Sequence, residues 1–396
     1  MPTTSEPLSW PRSHRDPHDP INPAPELARI RSEQPVFGVR RALPASGSLT
    51  MWLITKYADA RELLASRDTS NSLGRVGSAA AQPGFLVSLD PPDHTRIRRM
   101  LTAQFSMRRL TTMRPYVEEI TTKFLDQMEA TGPPADLMEA FALPLPSLVI
   151  CELLGVPFED QHEFQRRSDI MLDASATRQQ QAQNTHEMNA YMQSLVDRHR
   201  EDPGDDILGM LIRDHAAELT DEELVGIGNI LLVAGHETTS NTIGLGTLLL
   251  LQYPDQLALV RDDPEMITGA VEEILRYLSI VHTGTPRIIL KDMIIGDETL
   301  EAGDVAMVSL PSANRDANFL ADPDVFDVTR QPQAHLTFGH GIHQCLGQQL
   351  ARLEMSVAFP ALLQRFPTLS LAAPVSDLTF RGDGPVNGVR ELPVRW

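Results

Sequence analysis

The feature that most constrains the fold is one long apolar segment between Thr220 and Pro254. The stretch Thr220-Asp221-Glu222-Glu223 matches a capping box, in which a hydroxyl and a carboxylate satisfy the first free backbone amides of a helix. Apolar residues then continue to Leu251, which gives about 32 residues and a helix about 48 Å long. A helix of this length that is apolar on nearly every side is expected to cross the middle of a large hydrophobic core.

The same segment is a poor candidate for a membrane span. The polar run His236-Glu237-Thr238-Thr239-Ser240-Asn241 interrupts its centre, where a charge is most costly in lipid. The N-terminal stretch is polar and Pro-rich and has no apolar signal core. We therefore expect a soluble cytoplasmic protein without membrane association, in which residues 1–30 form a loosely ordered Pro-rich segment on the surface.

Helical patterns dominate residues 90–276, whereas strand-like stretches are few, short and concentrated near the two ends. The strand candidates are Pro35–Arg40, Met51–Thr55, Met293–Ile295, Glu298–Leu300 and Val305–Leu310, with Gly296-Asp297 as a hairpin turn. The Gln-rich stretch 177–184 is predicted to be a mobile connection between helices that gates the pocket, and residues 310–337 are predicted to be irregular. The fold class is mainly α with small β sheets, and we expect one domain over residues 1–396.

The formal net charge of −19 argues against a general nucleic-acid surface. Arginines are nevertheless concentrated in one region. They either form a basic patch that docks an acidic partner or belong to a solvated helix face. These residues are Arg96, Arg98, Arg99, Arg108, Arg109 and Arg114.

The two cysteines have contrasting surroundings. Cys151 lies in an apolar run and is expected to be a small buried hydrophobe. Cys345 lies among glycines and histidines, just before a predicted helix, in Phe338-Gly339-His340-Gly341-Ile342-His343-Gln344-Cys345-Leu346-Gly347. A helix N-terminus stabilises a thiolate, and glycines permit close approach of the backbone to a flat ligand. A lone thiolate in this setting can ligate haem iron.

A second group of residues lies at the centre of the long segment, in Ala234-Gly235-His236-Glu237-Thr238-Thr239. The two small residues would let a ligand lie against the helix. The acid and hydroxyl that follow need a reason for burial, because unpaired polar groups are costly in an apolar element. Taken alone, the hydroxyl could also bond its own helix backbone and bend the helix.

Together these two motifs resemble the cytochrome P450 family, in its soluble, actinobacterial, ferredoxin-dependent type. The Cys345 segment is similar to the haem-binding signature of the family, and residues 234–239 are similar to its oxygen groove. The resemblance implies the P450 fold, with haem b (iron protoporphyrin IX) between the long central helix and the Cys345 loop. Cys345 would be the iron ligand, and Glu237 and Thr238 would be catalytic residues that supply protons during oxygen activation.

The resemblance implies further site residues. Those beside the macrocycle would be Ala234, Gly235, Phe338, Gly339 and Gly347, and those at the two haem carboxylates would be His94, Arg98, Arg287 and His343. Glu273, Arg276 and Arg330 would form a structural network that holds the haem loop. The positions that match the substrate pocket, which could equally be plain core, are Val87, Ile230, Val233, Ile280, Val281, Pro385 and Val386.

The implied function is a haem-thiolate monooxygenase that inserts one oxygen atom from O2 into a C–H or C=C bond. Its substrate would be a small-to-medium apolar molecule such as a polyketide, a terpenoid or a xenobiotic. Electrons would come from NAD(P)H through a reductase and a soluble ferredoxin that docks on the arginine-rich region, because the chain has no flavin or iron–sulfur motif. We expect a monomer. A peroxide-driven peroxygenase and a non-catalytic haem sensor or electron carrier are the alternatives.

Overall fold

A computed structural model describes residues 8–396 apart from 12, 17, 44–46, 73–81, 158–159, 161–165, 168–169, 171–175, 285 and 382–383. Helices are the main regular structure in these ranges. The α-helices are α1 (Pro25–Glu33), α2 (Tyr57–Ala65), α3 (Asp93–Thr102), α4 (Met107–Thr131), α5 (Pro144–Leu154), α6 (Arg178–Glu201), α7 (Ile207–His215), α8 (Asp221–Gln252), α9 (Pro254–Asp262), α10 (Ile267–Leu278), α11 (Leu310–Ala313) and α12 (Gln348–Arg365).

The long helix α8 is the element around which the others are arranged. It begins as predicted: the Glu223 amide donates to the Thr220 hydroxyl at 3.2 Å, and the Thr220 amide donates to the Glu223 carboxylate at 3.0 Å. Most of its residues are buried, because α5, α6, α9, α10 and α12 contact it from several sides. The apolar composition of the segment is thus explained by burial within the protein.

Within the described ranges, no single helix has the length and apolar composition needed to cross a membrane. Helices α8 and α9 meet these two criteria only when they are taken together, and the chain bends by 113° between them.

In the part of the chain that the structure describes, the strands are short and form four small sheets. Their bounds are β1 (Arg15–Asp16), β2 (Asp19–Pro23), β3 (Val36–Leu43), β4 (Gly47–Ile54), β5 (Thr69–Ser70), β6 (Ala135–Asp136), β7 (Arg287–Ile289), β8 (Met293–Ile295), β9 (Glu298–Leu300), β10 (Val305–Val308), β11 (Ser370–Leu371) and β12 (Pro393–Arg395). The largest sheet has the order β3-β4-β10-β7-β5, and a second has the order β11-β12-β6. The predicted hairpin is confirmed, since β8 pairs antiparallel with β9 around Gly296, whose φ is 58°.

The N-terminal part of the chain differs from the prediction of a loosely ordered segment over residues 1–30. In its described residues, β1 and β2 pair as an antiparallel ribbon and α1 follows. The side chain of Arg15 is buried and donates to the carbonyls of Leu278 and Ser279. A buried cation that binds the main body of the protein fixes this segment in place.

The Gln-rich stretch is helical, so the prediction of a mobile connection over 177–184 is wrong. Thr177 and Gln180 form a capping box at the start of α6. Glutamine is a good helix former, and residues 178–183 are exposed, which explains their polar composition. Most of the polar region before Thr177 lies outside the described residues.

Candidate active site

The Cys345 loop is a tight turn that precedes α12. The Cys345 amide donates to the Phe338 carbonyl at 2.8 Å, and this bond closes the loop. Gly341 has a φ of 76°, and a side chain there would collide with the Leu64 carbonyl. Glycine is therefore required at position 341 both by its backbone conformation and by its contact with α2.

Cys345 is accessible at its surface. It nevertheless lies deep within the molecule, with protein atoms on all sides. Burial raises the pKa of the Cys345 thiol. Hydrogen bonds from the amides of Gly347 and Gln348, and the guanidinium groups of Arg98 and Arg352, act in the opposite direction. These four groups stabilise negative charge on the sulfur, which suits a thiolate that shares its charge with a metal.

The centre of α8 also borders an accessible space. Ala234 is exposed and Thr238 is half-buried, although most neighbouring residues of the helix are buried. The two lie one helical turn apart and so share a face. The Thr238 hydroxyl donates to the Ala234 carbonyl at 2.8 Å, so it bonds its own helix and faces the accessible space as well.

Gly235 lies where α8 packs closely against α5. A side chain at this position would lie 2.9 Å from Ile150 of α5. This distance is too short for an ordinary carbon contact, so glycine is needed for close packing of α5 on α8. The place of Gly235 beside the cofactor stays a prediction from the sequence.

Glu237 is a buried acid with a cationic partner that the sequence analysis missed. Its side chain is 1% exposed. Its Oε2 accepts hydrogen bonds from Arg381 Nη1 and from Asn241 Nδ2, each at 3.1 Å. Its Oε1 lies 4.0 Å from His236 Nε2. A buried carboxylate needs a partner, but no local pattern indicates a residue 144 positions away.

The four residues predicted at the haem carboxylates lie together. The rings of His94 and His343 are 4.1 Å apart between centres, and Arg98 Nη2 donates to the Gln344 carbonyl at 2.6 Å. Burial, together with His94, Arg287 and Arg98 nearby, lowers the pKa of His343 to about 3. Within the described part of the chain, neither ring nitrogen of the buried His94 has a hydrogen-bond partner. The unpartnered ring nitrogens of His94, beside the guanidinium groups of Arg98 and Arg287, suit the carboxylates of a bound ligand.

The three residues predicted as a structural network are in contact. Arg276 donates twice to the Glu273 carboxylate, at 2.7 and 2.8 Å, and both side chains are buried. Arg330 Nε lies 3.4 Å from Glu273 Oε1. Arg276 Nη1 also donates to the carbonyls of Asn314 and Pro323. The network thus joins α10 to the irregular segment that leads to the Cys345 loop.

A second ion pair, also missed from the sequence, supports the Cys345 loop. Arg352 of α12 donates to both oxygens of Glu272, at 2.6 and 3.0 Å, and its guanidinium carbon lies 4.6 Å from the centre of the Phe338 ring. Burial alone would raise the pKa of Glu272, but hydrogen bonds from His335 and Arg352 outweigh it and lower that pKa to about 2. The partners are 80 residues apart, so no local motif links them.

Three of the predicted pocket residues are associated with α8. Ile230 and Val233 are buried on the helix itself. Val87 is 38% exposed in the short turn Leu86–Ser88, which contacts α8.

The other four pocket candidates form two paired segments. Val281 and Val386 form an antiparallel bridge. The His282 amide donates to the Pro385 carbonyl at 3.1 Å, and the Asn387 amide donates to the Ile280 carbonyl at 2.7 Å. We call residues 280–282 and 385–387 the paired wall. Val281 and Val386 are half-buried and Pro385 is exposed, whereas Ile280 is buried.

The arginines between residues 96 and 114 do not form one basic patch. Arg96 pairs with Glu223 at the start of α8, and Arg98 points to the Cys345 loop. Arg109 donates to the Asp205 carbonyl at 2.6 Å. The residues are divided between α3 and α4, so closeness in sequence does not bring them to one surface.

A surface groove of about 210 Å³ lies between α4 and α12, next to the last of these arginines. Met107, which lines it, is 62% exposed. Arg114 also lines it, and Arg108 is exposed beside Met107 at the start of α4. The groove lies against the helix that follows Cys345.

A family model and several known proteins match most of this chain. The family model described as Cytochrome P450 matches residues 44–202 and 164–375. Cytochrome P450-SU2 from Streptomyces griseolus is 43% identical over 392 residues, which cover 96% of each chain. Pentalenic acid synthase from Streptomyces avermitilis is 38% identical and covers 100% of this chain and 98% of its own.

Solved structures give the same result for the fold. The mycinamicin VIII C21 methyl hydroxylase from Micromonospora griseorubida, bound to mycinamicin VIII, has a TM-score of 0.87 at 36% identity. The match covers 94% of this chain and 96% of the hydroxylase. The chain therefore belongs to the cytochrome P450 family and is a monooxygenase with haem b as its cofactor. The family, fold and cofactor predicted from the sequence are confirmed.

Three features of the described residues fit haem b. The first is the accessible sulfur of Cys345 with amides directed at it. The second is the accessible face of α8 at Ala234 and Thr238. The third is the group of basic side chains around the unpartnered ring of His94.

Proposed function

We propose that this protein is a ferredoxin-dependent monooxygenase in which Cys345 ligates the haem iron. The observation that carries the proposal is the environment of the sulfur, which is accessible within the molecule and receives hydrogen bonds from the Gly347 and Gln348 amides. When bound, haem would supply the chemistry of O2 activation, in which one oxygen atom enters a substrate bond and the other leaves as water with two electrons from the ferredoxin and two protons. Hydrogen bonds to the sulfur would tune how strongly it donates electrons.

We propose that His94, Arg98, Arg287 and His343 hold the two haem carboxylates. Arginine pairs well with carboxylates, and each neutral imidazole can donate one further hydrogen bond. Ala234, Phe338, Gly339 and Gly347 would lie beside the macrocycle. Among the described residues, a side chain at Gly347 would have only Phe105 nearby, at 4.0 Å, which is consistent with open space on that side.

Glu237 and Thr238 are the residues that we assign to proton delivery. One oxygen of Glu237 is held by Arg381 and Asn241. Its other oxygen has no hydrogen-bond partner among the described residues and can take up or release a proton. The Thr238 hydroxyl, which faces the accessible space, can accept a proton on one side while it donates on the other.

The groove between α4 and α12 is our candidate for the ferredoxin surface. An exposed methionine with arginines beside it is a typical composition for a small transient interface. Arg108 and Arg114 would attract an acidic ferredoxin. The groove is next to α12, which begins three residues after Cys345.

The substrate we propose is small to medium in size and largely apolar, and it is oxidised at a C–H or C=C bond. The residues of the proposed pocket are almost all aliphatic and offer hydrophobic contact with little directional recognition. Relatives are named for pentalenic acid and mycinamicin VIII, so polyketides and terpenoids are natural first choices, with xenobiotics next.

We further propose that the chain is one domain and acts as a monomer. The largest hydrophobic cluster includes residues from Ile21 to Val394, which supports a common core. The cytoplasmic location stays a prediction from the sequence.

The test is turnover with the haem-loaded protein, NADPH, a ferredoxin and its reductase. Substrates are first selected from a compound library by the shift of the iron to high spin. With isotopically heavy O2, we expect one heavy oxygen atom in the product. Product formed with peroxide alone, and none with ferredoxin, would support a peroxygenase instead. Binding without product in both assays would support a sensor or an electron carrier.

A further inference from the structure

Arg15 is among the most deeply buried charged side chains of the protein, at 2% exposed. It lies in β1, which pairs with β2; we call these two strands the N-terminal ribbon. Its Nη2 donates to the carbonyls of Leu278 and Ser279, each at 2.7 Å, and its Nη1 donates to the Ile21 carbonyl at 3.0 Å. The guanidinium thus joins the N-terminal ribbon to the C-terminal end of α10.

The partners of this guanidinium are suited to a cation. The last carbonyls of a helix are left without helical partners and carry partial negative charge. Ser279, which ends α10, has a left-handed φ of 40°, a conformation that is costly for a residue with a side chain. Burial, followed by nearby Arg315, lowers the pKa of Arg15 to about 9, so the side chain remains charged at neutral pH. It therefore stabilises both the helix end and the turn.

The chain that leaves this turn is the first half of the paired wall. Residues 280–282 follow Ser279 directly. Arg15 Nε donates to His282 Nδ1 at 3.3 Å, and the ring of His282 stacks on His14 with 5.5 Å between centres. The N-terminal segment therefore contacts residues 280–282 at both ends, through Ser279 on one side and His282 on the other.

The second half of the wall is held by the same ribbon. Asn387 Nδ2 donates to the Pro20 carbonyl at 3.0 Å, while the Asn387 amide donates to the Ile280 carbonyl at 2.7 Å. A change at Arg15 would therefore be transmitted to both halves of the paired wall.

We propose that Arg15 is a positioning residue that sets the shape of the substrate pocket through the paired wall and so influences which molecules fit. The inference rests on the proposed function, in which the paired wall lines the pocket. Arg15 itself acts from the N-terminal ribbon, through the carbonyls and the imidazole that it contacts.

The experiment compares two azole probes on the haem-loaded protein by spectral titration. Imidazole needs access to the iron alone, whereas 4-phenylimidazole must also fit its phenyl ring within the pocket. The variants are Arg15→Gln, Val386→Ala as a reference inside the wall, and Arg261→Gln as a matched control. Arg261 is a partly exposed arginine that pairs with its neighbour Asp262. We expect Arg15→Gln to change the 4-phenylimidazole Kd at least about fivefold relative to imidazole, about 1 kcal/mol.

The variants separate this inference from the proposed function. We expect Val386→Ala to change the same ratio of Kd values and Arg261→Gln to leave it unaltered. A ratio that responds to Val386→Ala but not to Arg15→Gln overturns the role of Arg15 while the pocket stands. A ratio that does not respond to Val386→Ala overturns the pocket assignment, and the role of Arg15 with it.

If Arg15→Gln fails to fold, a measurement on the unmodified protein decides the question. Coupling between two sites is reciprocal, so a ligand that contacts the paired wall must alter the stability of the ribbon. We expect 4-phenylimidazole, more than imidazole, to slow hydrogen exchange of the Ala24 amide, which donates to the His14 carbonyl at 3.1 Å. Equal exchange with the two probes, at saturation, would contradict the inference.

Discussion

Arg381 holds the carboxylate of Glu237 with 3.1 Å between Nη1 and Oε2. The two residues come from different parts of the fold, because Glu237 lies at the centre of α8 and Arg381 lies in the C-terminal region. The Arg381 amide donates to the Gly388 carbonyl, and a bridge joins Phe380 to Val389. The segment that carries Arg381 therefore also carries the 385–387 half of the paired wall.

We expect Arg381→Met to impair proton delivery and to lower stability. Loss of the cation leaves a buried carboxylate with fewer hydrogen bonds, which costs about 1–3 kcal/mol. Product formed per NADPH should fall, and peroxide released should rise, because Glu237 is no longer held in place. Arg381→Lys keeps the charge and should retain more of the coupling. Equal coupling in Arg381→Met and the unmodified protein would contradict the role of this pair.

We expect Thr238→Ala to uncouple NADPH consumption from product. The hydroxyl borders the accessible space, and loss of a positioned proton donor typically costs about 10²-fold or more in rate. The matched control is Thr247→Ala, since the Thr247 hydroxyl also donates to its own helix, at 2.9 Å to the Ile243 carbonyl, but is fully buried. Similar peroxide release in both variants would mean that Thr238 serves only the helix.

We expect charge reversal in the groove between α4 and α12 to slow reduction by ferredoxin. Arg108→Glu and Arg114→Glu remove attraction for an acidic partner, and the loss should be about tenfold or more at low salt and smaller at high salt. Stopped-flow reduction in the presence of carbon monoxide measures the rate. Arg261→Glu reverses a partly exposed arginine elsewhere and should have little effect. Unchanged reduction in Arg108→Glu and Arg114→Glu would remove this surface as the docking site.

The pair His199–Asp206 should make stability depend on pH. Hydrogen bonding to Asp206 raises the pKa of His199. Burial would raise the pKa of Asp206, but hydrogen bonds from His199 and Gly209 outweigh it and lower that pKa. The contribution of His199 to folding stability is complete below about pH 6.5, the ordinary pKa of histidine. It is lost as pH rises through the raised pKa of His199 in the folded protein. The aspartate contribution is complete above about pH 4, its ordinary value, and is lost as pH falls further.

This sign can be checked by thermal unfolding of the unmodified protein and His199→Gln. The unmodified protein should unfold at a higher temperature than His199→Gln. This difference in unfolding temperature should be largest between about pH 4 and 6.5 and should shrink towards pH 9. His18→Gln replaces an exposed histidine and serves as the control. An advantage that grows as pH rises would contradict the assignment.

Local signals in the sequence were sufficient for the elements that define the family. The capping box at Thr220 and the glycine-rich loop before Cys345 depend on residues close in sequence, so the helix start and the loop were predictable. The Gln-rich start of α6 was misjudged because exposed helical residues and loop residues have similar composition. Its capping box at Thr177 and Gln180 was present in the sequence and would have revealed the helix.

The long-range partners could not be predicted in the same way. Arg381, Arg352 and Arg15 each bind groups that are 80 or more residues distant. An arginine in a sequence indicates only that a carboxylate or a carbonyl will be near it, and the tertiary fold decides which one. For the same reason, closeness in sequence could not decide whether the six arginines between Arg96 and Arg114 share one surface.

The central claim is that Cys345 supplies the thiolate for the haem iron, and one spectrum tests it most directly. The reduced, carbon monoxide-bound protein should show the long-wavelength Soret band that thiolate ligation produces. Cys151→Ser should keep this band, since Cys151 is a buried residue of α5, whereas Cys345→Ser should lose it while haem remains bound. The long-wavelength band in Cys345→Ser, or its absence from the unmodified protein, would contradict the claim.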